Sequence, residues 1–257
     1  LEALLVVAPG EKLAAVESLA SVAPEPDPSL ELSEPAGIPG RPDRPVLVAP
    51  GAVAPRDVAT LVGRAALLHA LAHIEFNAVN LALDAIWRFP AMPRAYYFDW
   101  LGVAAEEALH FRLLCGRLAA LDRAYGDYPA HDGLWDMARK TAGDVLARMA
   151  LVPRTLEARG LDASPRIRTK LAEAGDMASA RVVDRILRDE IGHVAIGNRW
   201  FRHLCTLRGL APAAAYERLS TVYGAPRSRG PFNIAARRAA GFDEDELAAM
   251  SGIPPKH

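Results

Sequence analysis

Cysteine is nearly absent from the 257 residues: Cys115 and Cys205 each stand alone in an apolar helical context. They supply neither the Cys-x-x-Cys spacing of a zinc site nor the density of a disulfide scaffold, so a reducing, cytoplasmic setting is expected. An excess of charge is missing as well. The 30 basic and 31 acidic residues leave a net charge of -1, so no global field draws the chain to nucleic acid or to an anionic membrane, and neither is expected as a partner. No uncharged apolar run of about 18 residues occurs, which argues against a membrane-spanning helix. Leu1 to Ala8 are apolar but interrupted by Glu2, and they are too short for a bilayer span or a complete signal sequence. Period-two alternation is also lacking. Branched and aromatic residues fall at helical spacing, so the expected fold class is all-α.

Proline is plentiful where it clusters, at Pro24, Pro26, Pro28, Pro35, Pro39, Pro42, Pro45, Pro50 and Pro55. Each fixes φ and removes a donor. After a short helix over Glu11 to Val22, residues up to 55 therefore read as an extended strap whose Pro45-to-Pro50 stretch offers apolar side chains to a surface, with a disordered arm as the alternative. Beyond it, apolar residues recur three or four apart in four long stretches. The spacing predicts helices over about Pro55 to Phe89, Arg94 to Tyr125, Gly133 to Arg159 and Asp176 to Arg208. Gly160 and Gly209 serve as stops, and Ser164-Pro165 as the start of a short connecting helix. The tail carries short elements, a Pro231-Phe232-Asn233 loop and a last helix over Asp243 to Met250. Residues 1–55, 56–210 and 211–257 are thus expected as strap, four-helix bundle and C-terminal extension.

Two of these helices share one arrangement: Glu106-Glu107-Ala108-Leu109-His110 and Asp189-Glu190-Ile191-Gly192-His193. Residues three apart on a helix lie on one face, so Glu107 with His110, and Glu190 with His193, can each offer an oxygen and a nitrogen to one metal ion. With 31 acids and 7 histidines, roughly 0.8 acid-x-x-His matches arise by chance, so one copy would mean little. Register says more. Glu75 lies 32 positions before Glu107 and Glu157 lies 33 before Glu190, as if one helical hairpin occurred twice. A di-metal bundle needs this: one Glu from each first helix and Glu-x-x-His from each second. Several carboxylates buried on apolar stripes would cost several kcal/mol each if unpaired, roughly speaking, and two cations remove that cost. The competing reading pairs these acids with Arg64, Arg112, Arg154 and Arg188 as ordinary salt bridges.

The strings His69-Ala-Leu-Ala-His73-Ile-Glu75, Ala104-Ala-Glu-Glu107-Ala-Leu-His110-Phe, Met149-Ala-Leu-Val-Pro-Arg-Thr-Leu-Glu157-Ala-Arg-Gly160 and Arg188-Asp-Glu190-Ile-Gly-His193-Val-Ala-Ile-Gly resemble DUF455, a bacterial ferritin-like family of uncharacterised function. The likeness runs over nearly the whole chain, the strap and Pro231-Phe-Asn233 included. It implies a ferritin-like bundle of the di-iron type and no settled substrate. The layout is more distantly similar to ferritin-like tRNA hydroxylases.

His69 and His73 lie about 120° and 160° around the helix from Glu75, which points them to packing or supporting hydrogen bonds rather than to the metal. Glu106 and Asp189, four before each His, are the alternative acids. Asn77, Asn80 and Asp84 either orient ligands or meet the strap. Pro153, one turn before Glu157, interrupts the local helix. Trp87, Trp100, Trp135 and Trp200 read as core or strap contacts rather than a substrate box. The expected ligands are Glu75, Glu107, His110, Glu157, Glu190 and His193. The expected ions are two of iron, with manganese or a mixed pair as alternatives. Dioxygen, a small-molecule substrate and an electron-donor protein are the expected partners of an oxygen-dependent oxidoreductase, and a homo-oligomer stays open. Iron oxidation or storage without an organic substrate is the second reading, and a structural role for the metals the third.

Overall fold

A computed structural model describes residues 1–52, 57–226 and 229–251. Among them the secondary structure is helical, with one isolated parallel bridge between Leu47 and Ala130 and no strand. The helices are α1 (Glu2–Leu5), α2 (Pro9–Val22), α3 (Leu61–Arg88), α4 (Arg94–Ala119), α5 (Gly133–Lys140), α6 (Val145–Leu151), α7 (Ala158–Glu173), α8 (Met177–Leu207), α9 (Pro212–Val222), α10 (Ile234–Ala239) and α11 (Glu244–Met250), with a 3-10 turn at Pro50–Ala52 and a π-helical turn at Val152–Glu157. The chain divides into two compact units: Leu1–Trp135 with Ala174–Val182, and Asp136–Glu173 with the chain from Val183 onward.

In the first unit α3 packs along α4, and α2 lies on α4. The expected start of α3 at Pro55, and the boundary between residues 55 and 56, lie outside the described residues. Thr60 caps α3, its side chain accepting from Gly63 N at 3.0 Å. From Glu75 to Ala85 the helix is buried on every face, which is why its pattern there is broader than a single stripe. Long and apolar enough by length and composition to cross a membrane, α3 has most of its apolar stretch buried within the protein. The strap is ordered and extended. Val48 N donates to Ala130 O (2.8 Å), Ala130 N to Val46 O (3.1 Å) and Ala91 N to Pro28 O (2.7 Å). Asn77, Asn80 and Asp84 are the inner side of these contacts: Asn77 accepts from Arg41, Asn80 from Lys12, and Asp84 pairs with Arg88, which also reaches Glu34. The four tryptophans are buried.

Helix α4 stops at Ala119, six residues before the expected Tyr125. Arg123 N folds back to Leu118 O (3.0 Å) and Asp122 takes a left-handed φ of 53°, a conformation tolerated by Asp because its short side chain crowds the backbone little. The freed Tyr125 packs on Phe76, Phe111 and His69, with ring centroids 5.7, 4.9 and 5.3 Å apart.

The second unit departs most from the sequence pattern. The single helix expected over Gly133 to Arg159 is broken twice. Asp144 starts a new helix by accepting from Leu146 N (3.0 Å), while Arg148, buried, donates to Ala138 O (2.7 Å) and Thr141 Oγ1 (2.9 Å) across the gap. Pro153 cannot donate to the carbonyl four residues back, and the chain widens into the π turn, where Thr155 Oγ1 donates to Ala150 O at 2.8 Å. Gly160 does not stop the helix, and Pro165 sits inside α7 instead of starting a helix. The carbonyl that Pro165 leaves without a helical donor belongs to Leu161, and the side-chain amide of Asn233 takes it at 3.2 Å. The stop falls to Gly175, at φ 80°. Asp176 then opens α8 by accepting from Ser179 N (3.0 Å). In the tail, α9 has Pro212 in its first turn, and α11 begins in a full capping box between Asp243 and Glu246. Ala158, Leu161, Val194, Ala236, Ala240, Phe242 and Leu247 form the core that joins α7, α8, α10 and α11.

Candidate metal centre

Three ligand-type residues converge in the first unit. Glu75 projects from the all-round-buried part of α3, and Glu107 and His110 from adjacent turns of α4. Glu107 and His110 are fully buried and Glu75 is 4 % exposed. His110 Nδ1 lies 3.3 Å from Glu107 Oε2 and 3.5 Å from Glu75 Oε2. The second distance is too long for a good hydrogen bond, and Glu75 Oε2 is among the buried oxygens left without one. Two carboxylates and an imidazole whose ligand atoms lie within 4.8 Å of one another form a group that can hold a metal ion. The donor set fits one: oxygen and neutral imidazole nitrogen suit iron or manganese, and a cation would satisfy the buried oxygen that protein donors leave bare.

Electrostatics tell the same story. Burial first, and the Glu107 charge second, push the Glu75 carboxyl up to about 8, against the pull of His110. Burial alone would lower the His110 pKa, but its contacts with Glu107 and Glu75 raise it to about 11. Protons therefore stand in the metal-free trio where positive charge is needed, and metal uptake near pH 7 must release them. The sign for stability follows. An unfolded glutamate ionises near 4.5 and Glu75 near 8, so between those values the folded chain holds the extra proton and stability falls as pH rises. His110 adds a slope of the same sign, its contribution complete below 6.5 and lost as pH climbs towards 11. We expect the stability of wild type relative to Glu75→Gln, measured by urea titration with chelator present, to fall steadily from pH 5 to pH 8. A difference flat across that range would contradict the assignment.

The second unit repeats the pattern on α8. Glu190 is 8 % and His193 1 % exposed, with His193 Nδ1 3.5 Å from Glu190 Oε1. Glu157 is half-buried at the last position of the π turn. The alternative acids face elsewhere. Glu106 is exposed, and Asp189 pairs with Arg185 one turn away at 2.5 Å. The arginines offered as salt-bridge partners have other engagements: Arg64 with Val58 O and Ala59 O, Arg112 with Glu17, Arg154 with Glu246, and Arg188 with Asp184 O.

His69 and His73 are engaged away from the first trio. Gly126 N donates to His69 Nε2 at 2.9 Å. His73 faces the Tyr125 hydroxyl with Nδ1 (2.9 Å) and the His131 carbonyl with Nε2 (3.2 Å). The side-chain amide of Asn77, a donor, also lies 3.0 Å from Nε2, so both ring nitrogens have hydrogen-bond partners within the protein. Burial holds the His73 pKa down to about 4, and the ring stays neutral. Arg41, Pro42, Pro45, Leu47, Phe76 and Tyr125 close around it beneath the strap.

Sequence reasoning missed Lys12 and weighed Arg154 only as a salt-bridge partner. Lys12 is fully buried in α2 and donates to Leu4 O (3.1 Å), Gly40 O (2.8 Å) and Asn80 Oδ1. No local signal separates such a lysine from a surface one. For Arg154 a signal exists, since it follows Pro153 in a helix that must open.

Residues 7–248 match the family described as "Protein of unknown function (DUF455)". An "Uncharacterized protein" of Haemophilus influenzae (strain ATCC 51907 / DSM 11121 / KW20 / Rd) is 50% identical over 213 residues, covering 80% of this chain and 74% of that one. No solved structure matches.

Proposed function

Because the chain belongs to the DUF455 family, whose description assigns no activity, we propose from its residues that Glu75, Glu107 and His110 together with Glu157, Glu190 and His193 hold two metal ions, with iron as the first choice. In this reading α3, α4, the run from α6 through α7, and α8 are the four helices of a ferritin-like bundle. The observation that carries it is the buried Glu75–Glu107–His110 group, with a carboxyl oxygen lacking a donor, matched by a second buried Glu-x-x-His pair on α8.

Such a pair of ions, when bound, supplies redox chemistry with dioxygen. The reading is accordingly an oxygen-dependent oxidoreductase, of the hydroxylase kind, acting on a small organic molecule and drawing electrons from a donor protein. The chain's own groups hold the ligands in buried positions. Phe76 and Phe111, each next in sequence to a ligand, pack 5.3 Å apart and against Tyr125. His73, held neutral, is hydrogen-bonded to the Tyr125 phenol. Iron oxidation or storage uses the same ligands without a substrate.

Anaerobic, ferrous-loaded protein mixed with air-saturated buffer in a stopped-flow spectrometer tests the reading. Oxidation within the mixing experiment, with about two irons retained per chain, is expected. Iron taken up far beyond that ratio would favour storage, and absence of any bound iron or manganese would end both readings.

A further inference from the structure

In the second unit a guanidinium is built into the turn that presents Glu157. Arg154 lies three residues before Glu157 in the π turn and is 3 % exposed. Its ring of partners comes from three other elements. Asn198 of α8 and Glu246 of α11 accept from its two terminal nitrogens. Phe201, Tyr216 and Phe242 surround the guanidinium, with centroids 5.1, 5.1 and 4.8 Å away. Asn198 is itself anchored, donating to Ala240 O at 2.7 Å. Phe242 also contacts a second buried guanidinium, Arg237, at 5.1 Å, and Arg237 grips Asp162 of α7 at 2.6 and 3.0 Å. The π turn and the start of α7 that follows it are therefore both tied to the C-terminal helices.

The opposite side of the turn is set by a close approach. A Cβ on Gly197 would lie 2.5 Å from Pro153 Cβ and 2.6 Å from Pro153 Cγ. A proline ring cannot swing away, so only glycine lets α8 meet the turn here. Gly197 is one helical turn beyond His193 and two beyond Glu190. Pro153, Arg154 and Glu157 thus share a short, irregular segment docked on the same helix that carries two of the proposed ligands.

Resting on the proposed metal centre, we infer that Arg154 is a positioning residue: with Gly197 it fixes the π turn on α8 and so sets where the Glu157 carboxylate meets the metal. A π turn holds its shape through tertiary contacts rather than intrinsic preference. Removing its clamp frees the segment, which Pro153 keeps out of regular α-helical bonding, to shift on α8, and Glu157, at its last position, moves with it. The C-terminal helices then belong to the site's geometry through Glu246, although none of them supplies a ligand.

Cobalt(II) titrated into the metal-free full chain tests this, read by visible absorption for coordination geometry and by the titration midpoint for affinity. Arg154→Lys keeps the charge but not the two-pronged hydrogen bonding, Glu246→Ala removes the outer anchor at a partly exposed position, and Gly197→Ala presses on the turn from the other side. Each is expected to alter the cobalt spectrum and to weaken binding about tenfold or more, as for lost supporting contacts at metal sites. A merely structural role would lower thermal stability and leave the spectrum of the folded protein unchanged. Wild-type spectra and midpoints in Arg154→Lys and Glu246→Ala would overturn the inference while leaving the metal centre standing. A wild type that binds no cobalt, iron or manganese would overturn both.

Discussion

Metal loading is expected to raise the unfolding temperature by about 8–16 °C per ion at a thousandfold excess over the dissociation constant. That excess is worth about 4 kcal/mol per site, and a chain of this size shifts by about 2–4 °C per kcal/mol. In the double variant Glu107→Ala, Glu190→Ala most of this increment should vanish, because each substitution removes the carboxylate of one Glu-x-x-His pair. Scanning calorimetry of wild type and variant, each with chelator and then with ferrous iron under argon, checks it. Equal metal-induced shifts in the two proteins would mean that ions bind elsewhere or stabilise non-specifically.

The second large effect lies away from the metal. Lys12 sits at the point where α1, α2, the strap and α3 meet, with three acceptors around its ammonium and the Phe76 ring 5.3 Å away. Lys12→Met fills most of the same volume yet leaves Gly40 O and Asn80 Oδ1 without this donor, while Leu4 O keeps the bond from Gly40 N. At about 1–3 kcal/mol for each buried group left unsatisfied, a loss of about 2 kcal/mol or more is expected in urea unfolding. Burial first, and the Arg41 charge second, lower the lysine's pKa from 10.5 to about 7. Between those values the unfolded chain binds the proton and the folded chain does not, so this residue's contribution rises with pH from 7 to 10.5. The deficit of Lys12→Met should be larger at pH 9.5 than at pH 7.5. A deficit independent of pH would show that the folded lysine keeps its ordinary ionisation.

How far the sequence discloses this structure depends on whether a feature is local. The body of α3 and α8, and both Glu-x-x-His pairs, follow from spacing alone, because periodicity 3.6 is a property of the chain itself. The trio Glu75, Glu107 and His110 was legible from the motif on α4 and from the register between the two halves, and the first unit brings those three side chains together. The breaks in the third stretch were not legible in the same way. Gly160 looks like a stop and Pro165 like a start, yet α7 runs through both, because Asn233 and Arg237, some 70 residues onward, bond the Leu161 and Ala158 carbonyls. A donor supplied from that distance leaves no trace in the local pattern. The end of α4 was likewise set by Tyr125, whose aromatic partners outbid helix continuation once Asp122 accepted a left-handed turn. Lys12 and Arg154 belong to the same class, since their significance lies wholly in what surrounds them.

The most direct measurement is the metal content of the protein itself. Purified chain, stripped with chelator, reloaded anaerobically with ferrous iron and passed through a desalting column, should carry about two irons per chain by elemental analysis, and about one or fewer after Glu107→Ala. Retention of no iron by the wild type, or the same amount by wild type and Glu107→Ala, would contradict the assignment of the buried glutamates and histidines as a di-metal centre.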